Sequence, residues 1–232
     1  MISNPSPLVL CRCCEADNLF RLFDKKTDLK RSFNLCLNCF NIQKEVIDSE
    51  KPILNNDHIN PEWIHRYLYA KYGDGRLGLN LLEISSNKSR FQKFNDISIR
   101  TICENIFSIT DDKPLYNFII AENLLDTVMN PKKALDKISD LIDPTSGIAV
   151  VTMDTDIDKN ISVLSAYSLS TLASRCGFGI IDVFKIRNEN SEVIVAFLKK
   201  FEAHSKTLDS LIHEEESEGR YNIGSYYEDN YN

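Results

Sequence analysis

The chain has 232 residues, 43% of them hydrophobic, a net charge of −7, and no apolar run near the roughly 18 residues that a membrane span needs. These numbers predict one large domain, or a core with small attachments, and argue against a spanning helix, a secretory leader and broad electrostatic binding of nucleic acid. Seven cysteines, an odd number with no leader, point to a reducing compartment and to metal or core roles instead of disulfides, and glycine occurs only 8 times.

The first signal in chain order is Cys11-Arg12-Cys13-Cys14, followed after 21 intervening residues by Cys36-Leu37-Asn38-Cys39. Each C-x-x-C places two thiolates on one side of a tight turn, and two such turns close a tetrahedral S4 site suited to structural Zn2+. Bound zinc contributes on the order of 10–16 kcal/mol to a segment too small for its own core. The alternative is four buried small apolar residues. Cys13 is surplus to the site, and Cys103 and Cys176 read as core thiols. Arg12, Arg21, Lys25, Lys26, Lys30 and Arg31 form a local basic cluster, the one feature that keeps a nucleic-acid surface in view.

Asn60-Pro61 starts a helix with Asn60 as cap, and Trp63, Ile64, Tyr67 and Leu68 make its apolar face. Gly73, Gly75 and Gly78 mark a loop. Asn80 to Ile84 is a short buried strand that runs into Ser85-Ser86-Asn87-Lys88-Ser89, with a helical stretch expected from Arg90. Tyr116 to Ala121 is a second buried strand. Asn130-Pro131 caps a helix whose Ala134, Leu135, Ile138, Leu141 and Ile142 follow the 3.6 period, and Asp143-Pro144 stops it. Ile148 to Met153 is a third strand, and Ser168 to Cys176 a short helix with Gly177 past its end. Gly179 to Ile186 and Glu192 to Leu198 pair as a hairpin. Strands alternating with helices and closed by a hairpin predict a Rossmann-like α/β sheet.

Between residues 202 and 232 lie eight acids and two bases, so the tail holds nearly all of the net charge. Its composition predicts a solvated segment, and Tyr221, Tyr226, Tyr227 and Tyr231 offer the alternative of a docking arm. The expected division is a zinc module at 1–45, a helical connector at 46–78, an α/β domain at 79–201 and an acidic tail at 202–232. His58 and His65 in the connector and His204 and His213 in the tail carry no recognisable catalytic or ligand pattern. Asp154 to Asp158 matches only the first half of a calcium loop and reads as a solvated loop.

These motifs, in this order, resemble the zinc-containing class I methyltransferases that use S-adenosylmethionine (SAM) to C-methylate nucleotide-linked deoxysugars. The residues that carry the likeness are Cys11-Arg12-Cys13-Cys14 and Leu35-Cys36-Leu37-Asn38-Cys39 with Gln43 after them. Further along they are Glu83-Ile84-Ser85-Ser86-Asn87-Lys88-Ser89, Tyr116 to Leu125, Asp143 to Gly147, and Ser162 to Leu169. The resemblance spans roughly residues 11–200. It implies a class I sheet with an N-terminal zinc-ribbon-like module and a SAM site formed by Glu83, Ser85, Asn87, Glu122 and Asn123. It also places Glu83 near the methionine end of that site, whereas the residue on its own reads equally as a strand-end carboxylate held by backbone amides.

The chain departs from the family at three places. The cofactor loop holds no glycine, although close backbone approach to a nucleotide calls for it, and Lys88 stands where the family has an acid. The family's His and Tyr, which serve the proton at the reacting carbon, are replaced by Val163 and Ala166, neither able to act as acid or base. Only 26 residues separate Ser89 from Tyr116, short of the roughly 35–45 that two βα units occupy. The expected loss is the strand whose terminal acid, about 20 residues past the loop, would hold the ribose hydroxyls. Asp96 lies too near the loop, and Glu104 reads as a surface or cap residue.

The sequence therefore supports a methyltransferase-derived module that has lost catalysis, binds structural zinc, binds SAM weakly or not at all, and makes contacts with a protein partner or assembly. The alternative is an active SAM-dependent methyltransferase for a nucleotide-sugar or other small acceptor.

Overall fold

The antiparallel pair β1 (Leu19–Phe23) and β2 (Ser32–Cys36) extends through the three-residue β3 (Ile42–Lys44). The computed structural model describes residues 10–23, 32–44, 60–72, 79–85, 97–110, 115–155, 160–188 and 191–221. The expected helix near Arg90 and most of the loop at 85–89 lie outside these residues. Among them, no helix is long and apolar enough to cross a membrane.

The main sheet has six strands: β4 (Leu79–Ile84), β5 (Ile97–Cys103), β6 (Phe118–Glu122), β7 (Ile148–Asp154), β9 (Phe178–Asn188) and β10 (Ser191–Lys200). Their spatial order is β5-β4-β6-β7-β10-β9. The first four run parallel, and β10 and β9 close the sheet as an antiparallel hairpin. Two helices serve as crossovers, α3 (Pro131–Leu141) and α4 (Ala166–Arg175), so the fold is a Rossmann-like α/β sheet with a cysteine-rich N-terminal module.

One expectation is overturned. The strand thought lost is present as β5, paired parallel to β4 from Leu79↔Ile97 to Ile84↔Cys103. The shortening falls after it, where a 3-10 turn at Ile106–Ser108 is the described structure between β5 and β6. Asn105 caps that turn, accepting from the Phe107 N–H at 3.0 Å, and buried Ile106 anchors it to the core.

Side chains alternate across each strand, so the two faces carry separate apolar sets. On one face α1 (Pro61–Tyr72) lays Ile64 and Leu68 over Leu81, Ile120, Val150, Val195 and Phe197. Asn60 caps this helix as its sequence predicts, accepting from the Glu62 N–H at 2.9 Å. On the other face Leu135, Ile138, Leu169 and Leu172 of α3 and α4 cover Leu82, Ile119, Val151 and Ile194. Each such buried side chain stabilises by roughly 1.5–3 kcal/mol. Asn130 accepts from Lys133 N–H at 2.8 Å to start α3, with Pro131 in the first turn where no N–H is needed.

Two of the few glycines sit where a side chain would be strained or blocked. Gly177 has φ +76° just past α4, and a Cβ on Gly147 would lie 2.5 Å from the Asp143 carbonyl oxygen.

The expected solvated tail is also corrected in part. Residues Lys206–Ser217 form α5, with Leu208, Leu211 and Glu215 buried against the sheet side that carries α4. Asp182 on β9 joins this helix to α1 by accepting from Tyr67, Lys71 and Thr207. The remainder, 222–232, lies outside the described residues.

Candidate functional site

The four paired cysteines come together. Cys11, Cys14, Cys36 and Cys39 place their sulfurs all within 4.8 Å of one another, with Cys11–Cys39 at 3.7 Å and Cys14–Cys36 at 3.5 Å. A tetrahedral zinc–thiolate centre with bonds of about 2.3 Å has sulfur–sulfur edges of about 3.8 Å, so these residues fit the ion. Hydrogen bonds from the Cys11 and Cys39 thiols pull the Cys36 thiol well below its ordinary range, and the bonds of Cys11 with Cys36 and Cys39 push Cys11 up. Four thiolates side by side repel, and a dication removes that cost. All four positions are filled by protein, which suits a structural ion and leaves none open for substrate.

Cys13 is no ligand. Its buried thiol donates to the Ser168 carbonyl in α4 at 3.2 Å. Cys176 is a core thiol, donating to the Lys132 carbonyl, and burial pushes it up to about 12. Cys103 ends β5 half-buried, raised to about 11 by desolvation.

The cysteine module is not a separate knob. Its β3 pairs with β8 (Ser162–Val163) through Ile42↔Val163 and Gln43↔Ser162. Lys44 N–H bonds to the Ile161 carbonyl at 2.9 Å, and the Arg12 guanidinium reaches that same carbonyl at 3.3 Å and the Lys44 carbonyl at 2.9 Å. Arg175 of α4 bonds to the Cys14 carbonyl and pairs with Glu15 at 2.5 Å. The module thus clamps residues 161–175, the segment that carries Val163 and Ala166. Arg12, counted from sequence in a basic surface cluster, is half-buried and turned inward.

A second candidate site lies at the carboxyl ends of the parallel strands. The sheet order reverses between β4 and β6, and in open α/β sheets ligands bind in the crevice at such a reversal. Glu83 of β4 and Glu122 of β6 point to the face that carries α1, because Leu81 and Ile120 two residues earlier do. They are 2% and 3% exposed. Ser85 is buried at the end of β4, and its N–H bonds to the Cys103 carbonyl at 2.9 Å. Asn123 has φ +52°, a left-handed turn that Asn tolerates, and its N–H bonds to the Thr152 carbonyl at 3.0 Å. The Thr152 hydroxyl returns a bond to Asn123 Oδ1 at 3.1 Å. Asn87 lies outside the described residues. Glu104, exposed, directly follows β5, so three strand ends in a row each bring a carboxylate.

Within the segment that the cysteine module clamps, Val163 and Ala166 are buried, at 4% and 0% exposure. The first turn of α4 is held by Ser165, which accepts from Ser168 N–H at 3.0 Å while Ser168 Oγ accepts from Ser165 N–H at 2.6 Å. The Ala166 N–H donates to Glu215 Oε2 at 2.8 Å. Glu215 is fully buried and also accepts from Tyr221 and, at 2.7 Å, from Arg220. Asp126, on the short α2 (Leu124–Thr127), accepts from Asp154 N–H at 2.7 Å, and burial pushes its carboxyl well above the usual carboxylate range.

Sequence reasoning gave no site role to Asn41, Glu215 and His204. Glu215 stands within a run of three glutamates whose only clue is its spacing four residues after Leu211. His204 accepts from Ile180 N–H through Nδ1 at 3.0 Å and contacts Ser174 through Nε2 at 2.8 Å. His65 stacks on Tyr69, and His58 lies outside the described residues.

No family model matches the chain, and no curated protein matches it. Solved structures of similar fold include the N-methyltransferase NodS of Bradyrhizobium japonicum WM9, at 12% identity and TM-score 0.44, with 61% of this chain and 96% of that one covered. The 1,6-didemethyltoxoflavin-N1-methyltransferase of Burkholderia thailandensis, solved with S-adenosylhomocysteine (SAH), has 9% identity, TM-score 0.48 and coverage of 78% and 100%. The magnesium protoporphyrin IX methyltransferase of Synechocystis PCC 6803, also with SAH, has 10% identity, TM-score 0.45 and coverage of 60% and 81%. These are distant likenesses, and the fold assignment rests on strand order and direction.

Proposed function

We propose that the chain binds SAM or a close adenosyl relative in the crevice at the carboxyl ends of β4, β5 and β6, and transfers its methyl group to a small acceptor. The observation that carries this reading is the row of carboxylates: Glu83, Glu104 and Glu122 at three adjacent strand ends flanking the order reversal. Carboxylates favour a ligand that carries an ammonium and a sulfonium, and a strand-end acid spaced like Glu104 suits ribose hydroxyls. The cofactor supplies an electrophilic methyl group when bound. The protein's part is to hold it and to orient the acceptor against β8 and α4, which the metal module fixes. Val163 and Ala166 take no proton, so the acceptor's nucleophile arrives deprotonated or loses its proton to solvent. The zinc would be structural, and seven unpaired cysteines suit a reducing compartment.

A second reading is a non-catalytic, zinc-stabilised structural or protein-interaction module. Buried Val163 and Ala166, the glycine-free loop and Lys88 favour it. Isotope-labelled SAM separates the two. Binding with methyl transfer supports the first reading, binding without transfer to any small acceptor class supports a cofactor-holding module, and no binding supports the second.

A further inference from the structure

We propose that Asn41 is the positioning residue of the thiolate centre, an inner hydrogen-bond donor that fixes Cys11 toward the metal, with Gln43 orienting it. The inference rests on the reading of the four cysteines as a metal centre. Asn41 is fully buried, and its Nδ2 lies 3.8 Å from Cys11 Sγ and 3.4 Å from Gln43 Oε1. Its Oδ1 is buried with no hydrogen-bond partner among the described residues. A flipped amide would aim that oxygen at the sulfur, where it would repel a metal-bound thiolate. This orientation leaves a carbonyl unpaired and presents an N–H to the sulfur, the arrangement that suits a metal-bound thiolate.

The rest of the environment holds this orientation. Gln43 Oε1 also accepts from the Arg12 main-chain N–H at 2.8 Å, and Gln43 Nε2 donates to the Leu10 carbonyl at 3.1 Å. With both ends engaged, Gln43 can offer only its oxygen to Asn41, and this selects Nδ2 for Cys11. The Asn41 carbonyl accepts from Cys36 N–H at 2.9 Å, so one residue touches both knuckles. Gln43 lies opposite Ser162 on β8, which links this shell to the acceptor-side strand. Groups that orient metal ligands in this way change metal affinity by about 10–100-fold when removed.

The test uses the full chain loaded with 113Cd, in which a scalar coupling between the Asn41 side-chain amide protons and the metal reports the N–H···S bond directly. Chelator competition with the zinc form then reads the consequence. Asn41→Leu and Asn41→Asp are expected to weaken metal retention about 10–100-fold and to displace the thiolate charge-transfer band of the cobalt(II) form. Asn18→Ala, on the exposed side of the same module, leaves both unchanged. A purely structural Asn41 would lower the melting temperature while retention and band stay as in the wild type, and that result overturns the proposal. If neither Asn41 variant folds, the wild-type cadmium coupling decides: its presence supports the proposal and its absence refutes it.

Discussion

The Cys13 thiol donates to the Ser168 carbonyl at 3.2 Å, joining the four-cysteine module to the first turn of α4 across 155 residues of sequence. With β3–β8 pairing and the Arg12 and Lys44 bonds to Ile161, it ties the four-cysteine module to residues 161–168. Removal of the metal by a chelator should raise hydrogen exchange at Lys44 and in residues 161–168, with little change in β6 and β7. Readdition of zinc should restore it. Uniform loss of protection across the sheet would mean that the module has no selective hold on this segment.

Glu215 is a buried carboxylate with three donors: Ala166 N–H, Arg220 and Tyr221. Glu215→Gln keeps the shape but removes the charge at a helix N-terminus and opposite Arg220, which is itself largely buried. The expected cost is about 1–3 kcal/mol in denaturant unfolding. Glu214→Gln, at the exposed neighbour, should cost less than about 1 kcal/mol.

Asp126 is a buried carboxylate whose titration burial shifts upward. Burial raises its carboxyl in the folded state, so the folded protein holds a proton that the unfolded chain releases above about pH 4. The folded state then binds more protons, and this group's contribution to stability falls as pH rises from there toward the raised folded value. Asp126→Asn keeps an oxygen for Asp154 N–H without a titrating group. Its stability relative to the wild type should therefore improve between pH 4 and pH 7, as followed by urea melts, and a constant difference would contradict the assignment.

His204 gives the reverse pH dependence. Burial lowers its pKa from 6.5, opposed by Asp209, and its Nδ1 must stay unprotonated to accept from Ile180 N–H. The unfolded chain binds this proton first, so the stabilisation is complete above pH 6.5 and is lost as pH falls through the lowered folded pKa. His204→Gln should flatten the wild-type decline between pH 7 and pH 5. An equal decline in the variant would assign the effect to other groups.

The parts of this structure written locally were legible in the sequence. The two C-x-x-C turns, the Asn-Pro caps of α1 and α3, and the β9–β10 hairpin each depend on residues a few positions apart. β5 is not legible from length, because the short interval between Ser89 and Tyr116 does not reveal which of the two units is shortened. The 3-10 turn after β5 takes few residues where a helix and strand would take many. α5 was missed because four glutamates mask the spacing of Leu208, Leu211 and Glu215, which only burial reveals. The clamp between β3 and β8 left no sequence trace, since neither short strand has a pattern of its own and their pairing is a tertiary event.

Titration of the zinc-loaded full chain with SAH by calorimetry tests the central claim most directly. The row of strand-end carboxylates predicts one site of micromolar affinity, weakened about tenfold or more by Glu104→Gln through loss of a charged hydrogen bond. Absence of binding heat at high SAH concentration, in protein that retains its metal and its fold, would contradict a cofactor site and leave the non-catalytic reading.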